Sequence, residues 1–129
     1  MQTTASPIFI SLIVSVLCLP VAQATPRSEQ EIQHLFEFID QSDCIFIRND
    51  TEYPAQKARE HMQTKYDYAK RWIDSAEQFI DRIASKSSIS GKRYQVRCQG
   101  QLLYTDTWLK QELERYRASQ ASGQATATE

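Results

Sequence analysis

An α+β fold is predicted for this chain: about four helices packed on a small two-stranded antiparallel β-ribbon, in the order α-β-α-α-β-α, closed by one disulfide. Three observations predict it. Apolar residues recur at helical spacing in four stretches, and two short runs have the composition and alternation of strands. Two cysteines, Cys44 and Cys98, also remain once an N-terminal apolar leader is set aside. A length of 129 residues is one domain's worth of material. Its 15 Lys+Arg stand against 16 Asp+Glu, so no cationic surplus exists to neutralise phosphates, and nucleic-acid binding is not expected. Three Gly and four Pro exclude collagen-like and Pro/Gly-rich disordered classes.

Met1 to Ala24 contain no Asp, Glu, Lys or Arg, and Ile8–Leu19 form a run of 12 that is apolar except for Ser11 and Ser15, followed by Pro20 and Ala22-Gln23-Ala24. Such a run is short for a spanning helix, which needs about 20 apolar residues, and fits the core of a signal peptide cut after Ala24. Only the terminal amine supplies positive charge ahead of the run, so an uncleaved anchor is the competing reading. Lipidation at Cys18 is disfavoured because Leu17, not a small residue, precedes it. The expected organisation is a signal peptide over 1–24, one compact domain over 25–117 and a disordered tail over 118–129. In an exported domain this small, an even cysteine pair reads as a disulfide. A zinc site would need more ligands than Cys44, Cys98, His34 and His61 supply at these spacings.

Ser28-Glu29-Gln30-Glu31 has the pattern of a capping box. Ile32, Leu35, Phe36 and Ile39 follow as one apolar face of a first helix. Cys44–Arg48 is a short β-prone run ended by the turn formers Asn49 and Asp50. Pro54 suits the first turn of a second helix, in which Ala55, Ala58, Met62, Tyr66, Ala69 and Ile73 form a core stripe and His61, Lys65, Tyr68 and Trp72 line one flank. Asp74 or Ser75 caps a third helix bearing Ala76, Phe79, Ile80 and Ile83. Tyr94, Val96 and Cys98 alternate with Gln95 and Arg97 as a half-exposed strand, and a fourth helix starts near Thr105 to Thr107. A Cys44–Cys98 bond would make the two strands antiparallel, with Phe46 opposite Val96 and Arg48 opposite Tyr94. No internal repeat is visible.

No catalytic motif is complete. Ser90-Gly91-Lys92 lacks both the earlier Gly and the following Ser/Thr of a phosphate-binding loop. Nucleophile-elbow, S-x-x-K and H-E-x-x-H patterns are absent. Glu29/Glu31 and Glu112/Glu114 are expected at helix ends or on solvated faces. His61 is the one suggestively placed titratable group, although a general base needs an orienting partner, and a structural role at the core rim competes. Arg48 is expected to stack on Tyr94 or pair with a carboxylate rather than hold a ligand. No catalytic residue, metal ligand or cofactor is assigned.

The residues Phe46-Ile47-Arg48-Asn49, Tyr53, Ala58, His61-Met62, Lys65, Ile73, Ala76–Ile80, Ala84-Ser85, Ser87-Ser88, Ser90-Gly91, Tyr94 and Trp108-Leu109 taken together resemble the YfeK-like family of small bacterial periplasmic proteins, a domain of unknown function. The resemblance spans Glu31 to Leu113 and departs at Asp50, where the family usually has Gly. It implies an envelope location and supplies no catalytic residues.

The resulting expectation is an exported, periplasmic, non-enzymatic binding or interaction module of the cell envelope. Its partner is expected to be an envelope protein or a small anionic ligand, with membrane contact only through the leader. Arg48, Asn49, Tyr53, His61, Lys65 and Trp72 form the candidate surface. The rival readings are a small hydrolase using His61 as acid or base, and a structural protein anchored by its leader.

Overall fold

The computed structural model describes residues 2–3 and 27–127. The expected apolar run and the cleavage point after Ala24 lie outside the described residues. The elements are α1 (Arg27–Gln41), β1 (Ile45–Arg48), β2 (Thr51–Pro54), α2 (Ala55–Ala69), α3 (Ala76–Phe79, continuing as a π-helical segment Ile80–Ala84), β3 (Gln95–Cys98), β4 (Gln101–Tyr104) and α4 (Thr105–Thr126). A 3₁₀ turn, Lys70–Trp72, follows α2.

The fold is α+β, but its sheet has four antiparallel strands in the order β2-β1-β3-β4 rather than the expected two. The expected central pair is present, with Phe46 opposite Val96, and Cys44 is bonded to Cys98. Each central strand then turns back into a partner that the sequence reading took for turn and helix start. Asn49 and Asp50 both adopt positive φ, 49° and 63°, as do Gln99 and Gly100 at 50° and 77°. Two successive left-handed residues are the signature of the tight type I′ hairpin, which Asn, Asp and Gly adopt most readily. The added strands escape notice because they are four residues long and mostly exposed. Pro54 is the last residue of β2, opposite Ile45, and the N-cap of α2. Proline is tolerated there because β2 is an edge strand.

Helices cover one face of the sheet. Ile32, Leu35, Phe36 and Ile39 of α1 are all at most 1% exposed, and they pack with Phe79 and Ile80 of α3, Leu109 of α4, and Phe46 and Val96 of the sheet. Ser75 caps α3 by accepting from the Gln78 amide at 3.1 Å. The proposed Ser28 cap is not formed: Ser28 lies inside α1. Glu31, expected on a solvated face, is 3% exposed and held by Arg117 of α4 through two hydrogen bonds of 2.8 Å. Glu112 is likewise buried, 2.6 Å from His34 Nε2. The tail from Ala118 continues α4 to Thr126 instead of leaving the helix, since it contains no proline and a single glycine.

An internal repeat invisible in the sequence emerges from the register. β3, β4 and α4 begin 50 residues after β1, β2 and α2 respectively, with equal strand lengths. The local dyad passes between Phe46 and Val96. It relates Arg48 to Cys98, Tyr94 to Cys44, and Ala58 to Trp108. One end of the central strand pair carries the disulfide; the other carries Arg48 and Tyr94.

Candidate functional site

A concave pocket of about 260 Å³ opens between the β1–β2 hairpin and α2. Phe46, Ala58 and Met62, all buried, form its apolar lining, and the exposed Lys57 and Glu60 stand at its rim. Ala58 stands where the second half carries Trp108, whose indole packs against Phe38 and Phe46 with ring centroids 4.5 and 5.6 Å away. The equivalent place in the second half, lined by Cys98, Leu103, Trp108 and Gln111, is also concave, but its lining has no Lys, Arg or His.

Alternation along β1 sends Arg48 to the same face as Phe46, toward α2. There its Nη1 lies 2.6 and 2.8 Å from the two ring nitrogens of His61. Its Nη2 donates to the Tyr53 hydroxyl at 3.1 Å, and the guanidinium sits 4.8 Å from the Tyr53 ring centre. One turn along α2, Lys65 Nζ donates to the carbonyls of Ile83 and Lys86 at 2.9 and 3.1 Å and to the Tyr94 hydroxyl at 3.4 Å. Tyr94 Oη also lies 3.3 Å from His61 Nε2. Arg48 is thus bonded to His61 and stacked on Tyr53, neither of the arrangements expected for it.

A guanidinium only donates, so the imidazole nitrogen receiving it must keep its lone pair. His61 is therefore neutral, and its pKa is held below 6.5 by burial first, then by the charges of Arg48 and Lys65. Burial, and then Arg48, likewise lower the pKa of Lys65. Burial raises that of Tyr94, against the opposing pull of Arg48. Among the described residues, the partners of the His61 ring are Arg48 and the Tyr94 hydroxyl. Because the folded His61 pKa is depressed, its contribution to stability is full above the unfolded value near 6.5 and is lost as pH falls through the folded value. An NMR titration is expected to place the His61 midpoint below 6.5, and Arg48→Ala to raise it; a midpoint unchanged by that substitution contradicts the proposed electrostatics.

Charge balance sets this pocket apart. Eight of the 15 Lys and Arg side chains, Arg27, Lys57, Lys92, Arg93, Arg97, Lys110, Arg115 and Arg117, pair with a carboxylate. Arg48 and Lys65 do not pair with any among the described residues, although both are half-buried. Every hydrogen bond they make is to a neutral group. Among the described residues no group of three or more His, Cys, Asp or Glu is placed to hold a metal ion.

Of the six candidate residues, the structure gathers Arg48, Tyr53 and His61 in the pocket, with Lys65 behind Tyr94. Asn49 stands apart and ties turns together, its Oδ1 accepting from Ser90 Oγ at 2.6 Å. Trp72 falls beyond the end of α2, because the helix gives way to the 3₁₀ turn after Ala69, and lines a separate groove. Tyr94 was missed as a site residue. Its signal is in the sequence, where it is the residue expected opposite Arg48 on a half-exposed strand.

The fold and pocket define a small disulfide-closed α+β domain with a half-buried, cation-lined cavity. The chain belongs to the family of unknown function DUF5329, whose profile matches residues 26–117. It is 35% identical over 89 residues to the uncharacterised protein YfeK of Salmonella typhimurium, covering 67% of this chain and 74% of that protein. No solved structure matches it.

Proposed function

We propose that the protein is an exported, non-enzymatic binding module of the cell envelope whose pocket takes a small anionic group. One observation carries this reading: Arg48 sets a half-buried positive charge in the cavity, Lys65 sets a second behind Tyr94, and neither pairs with a carboxylate among the described residues. A buried charge lacking a counter-ion is costly, and an anionic ligand would remove that cost. The Arg48 fork suits a carboxylate or phosphate, the hydroxyls of Tyr53 and Tyr94 add donors, and Phe46 and Met62 offer an apolar wall for whatever bears the anion. Export is supported by the apolar leader with its Ala-Gln-Ala triplet, and by a disulfide of the kind that persists in oxidising compartments.

Calorimetric titration with inorganic phosphate tests the binding reading. Saturable binding is expected, and Arg48→Ala should weaken it about tenfold or more, as fits the loss of a charge-assisted hydrogen bond. Ala58→Trp, which puts a bulky ring into the pocket's apolar lining, should abolish it while leaving the circular dichroism spectrum intact. Phosphate binding unchanged in both variants, or absent from the parent, overturns the reading.

A further inference from the structure

The unpaired cations are not scattered. Of the seven Lys and Arg without a carboxylate partner among the described residues, Arg59 sits over the Phe36 ring, 5.5 Å from its centre. Besides Arg48, the others are Lys65 at the end of α2, Lys70 and Arg71 in the 3₁₀ turn, Arg82 in the π segment and Lys86 just after it. Contacts join these into one region. Arg82 donates to the Trp72 carbonyl at 2.8 Å, Arg71 lies 4.0 Å from the Trp72 ring centre, and Lys65 is held by the Lys86 carbonyl.

Three of the five exposed large hydrophobic residues belong to the same region: Tyr68 at 85%, Trp72 at 50% and Ile89 at 100% exposure. Tyr68, Trp72 and Ser88 line one groove, and Ile89 follows Ser88. The turn presenting Ile89 is firmly built. Ser87 Oγ accepts from the amides of Ile89 and Ser90 at 3.4 and 3.3 Å, and the Ser87 carbonyl accepts from the Gly91 amide at 2.9 Å. Ser90 is tied to Asn49, and Lys92 to Asp50, across to the β1–β2 hairpin. A lone exposed apolar side chain is ordinary. An isoleucine held out on a pinned turn, beside an exposed tryptophan and tyrosine and five unpaired cations, is a different feature. Asp67 and Asp74 flank the segment in sequence and leave its charge positive.

We propose that this end of the molecule is a peripheral docking surface for an anionic phospholipid bilayer. Ile89 and Trp72 enter the headgroup layer, and Lys70, Arg71, Arg82 and Lys86 face the lipid phosphates. Charge complementarity selects the occupant: apolar groups ringed by free cations match a surface with acyl chains beneath an anionic layer. Tryptophan and tyrosine favour that boundary because each has an apolar body and a polar edge. Among the described residues no helix is long and apolar enough to cross a membrane, and a surface mode of this kind requires none. The mode is separate from the contact expected through the leader and does not depend on what the Arg48 pocket holds.

The test is flotation of the full chain with vesicles of phosphatidylcholine alone and of equal parts phosphatidylcholine and phosphatidylglycerol, with tryptophan emission read in parallel. Association is expected with the anionic vesicles only, reversed by high salt, with a blue shift reporting Trp72. Ile89→Ser and the pair Lys70→Gln/Arg71→Gln are each expected to lower partitioning at least tenfold. These positions are exposed, so the variants should keep the parent circular dichroism spectrum. The state of the leader is common to all variants and cancels in the comparison. Equal flotation of parent and variants overturns the proposal, as does binding to soluble dextran sulfate without binding to vesicles.

Discussion

Replacing Cys44 and Cys98 together by Ala is expected to cost about 4 kcal/mol, the chain-entropy value for a closed loop of roughly 55 residues. The bond spans a sequence separation of 54 and joins the start of β1 to the end of β3, the two central strands of the sheet. Opening it frees the two halves of the repeat to separate in the unfolded chain. For a domain of about 100 residues, the melting temperature should fall on the order of 20 °C. Dithiothreitol acting on the parent should reproduce most of that loss. A double variant within about 1 kcal/mol of the parent would show that strand pairing and helix packing hold the halves together without the crosslink.

Arg117→Met should produce the next largest loss, about 3 kcal/mol. Arg117 reaches from α4 to Glu31 of α1 through two hydrogen bonds of 2.8 Å and to Glu77 of α3 at 2.6 Å, so one guanidinium ties three helices. Its removal leaves Glu31 buried, with only the solvent-exposed Arg27 beside it. Methionine keeps the stem length, so most of the loss is electrostatic. Hydrogen bonding to Arg117 holds the Glu31 pKa below 4.5 despite burial. Stability from this pair is therefore present above the unfolded carboxylate value and is lost as pH falls through the folded one. The parent should destabilise more steeply below pH 4.5 than the variant. Replacing both partners, Glu31→Leu with Arg117→Met, should recover much of the loss; a double variant no better than the single one contradicts the assignment. Urea denaturation across pH measures all three proteins.

The helical core was legible because burial writes itself into sequence at a fixed period: Ile32, Leu35, Phe36 and Ile39 form a face whatever surrounds them. The central strand pair was legible through the cysteines, since a crosslink between separate runs leaves little freedom of register. The edge strands were not. β2 and β4 are held by backbone bonds to β1 and β3 and by two turns in left-handed conformation, and neither has an alternating apolar face to announce it. Glu31 and Glu112 were misplaced for a related reason. A carboxylate at a helical position reads as solvated unless its partner is known, and Arg117 lies 86 residues away from Glu31.

The pocket was half legible. Arg48, Tyr53 and His61 were singled out as polar and aromatic groups near one turn and one helix flank. Their convergence depends on β1 and α2 facing each other across the cavity. Neither that facing nor the repeat can be seen without the register. Trp72 was drawn into the site because the helical period was continued past Ala69, where the chain tightens into a 3₁₀ turn.

The protonation curve of His61, followed by its ring resonances with and without inorganic phosphate, tests the unbalanced positive charge of the pocket most directly. An anion seated against Arg48 offsets the charge that keeps the imidazole neutral, so phosphate should move the midpoint upward and bind more tightly as pH falls. Arg48→Ala should remove that phosphate dependence. A His61 curve that is the same with and without phosphate would mean that the cavity does not take an anion.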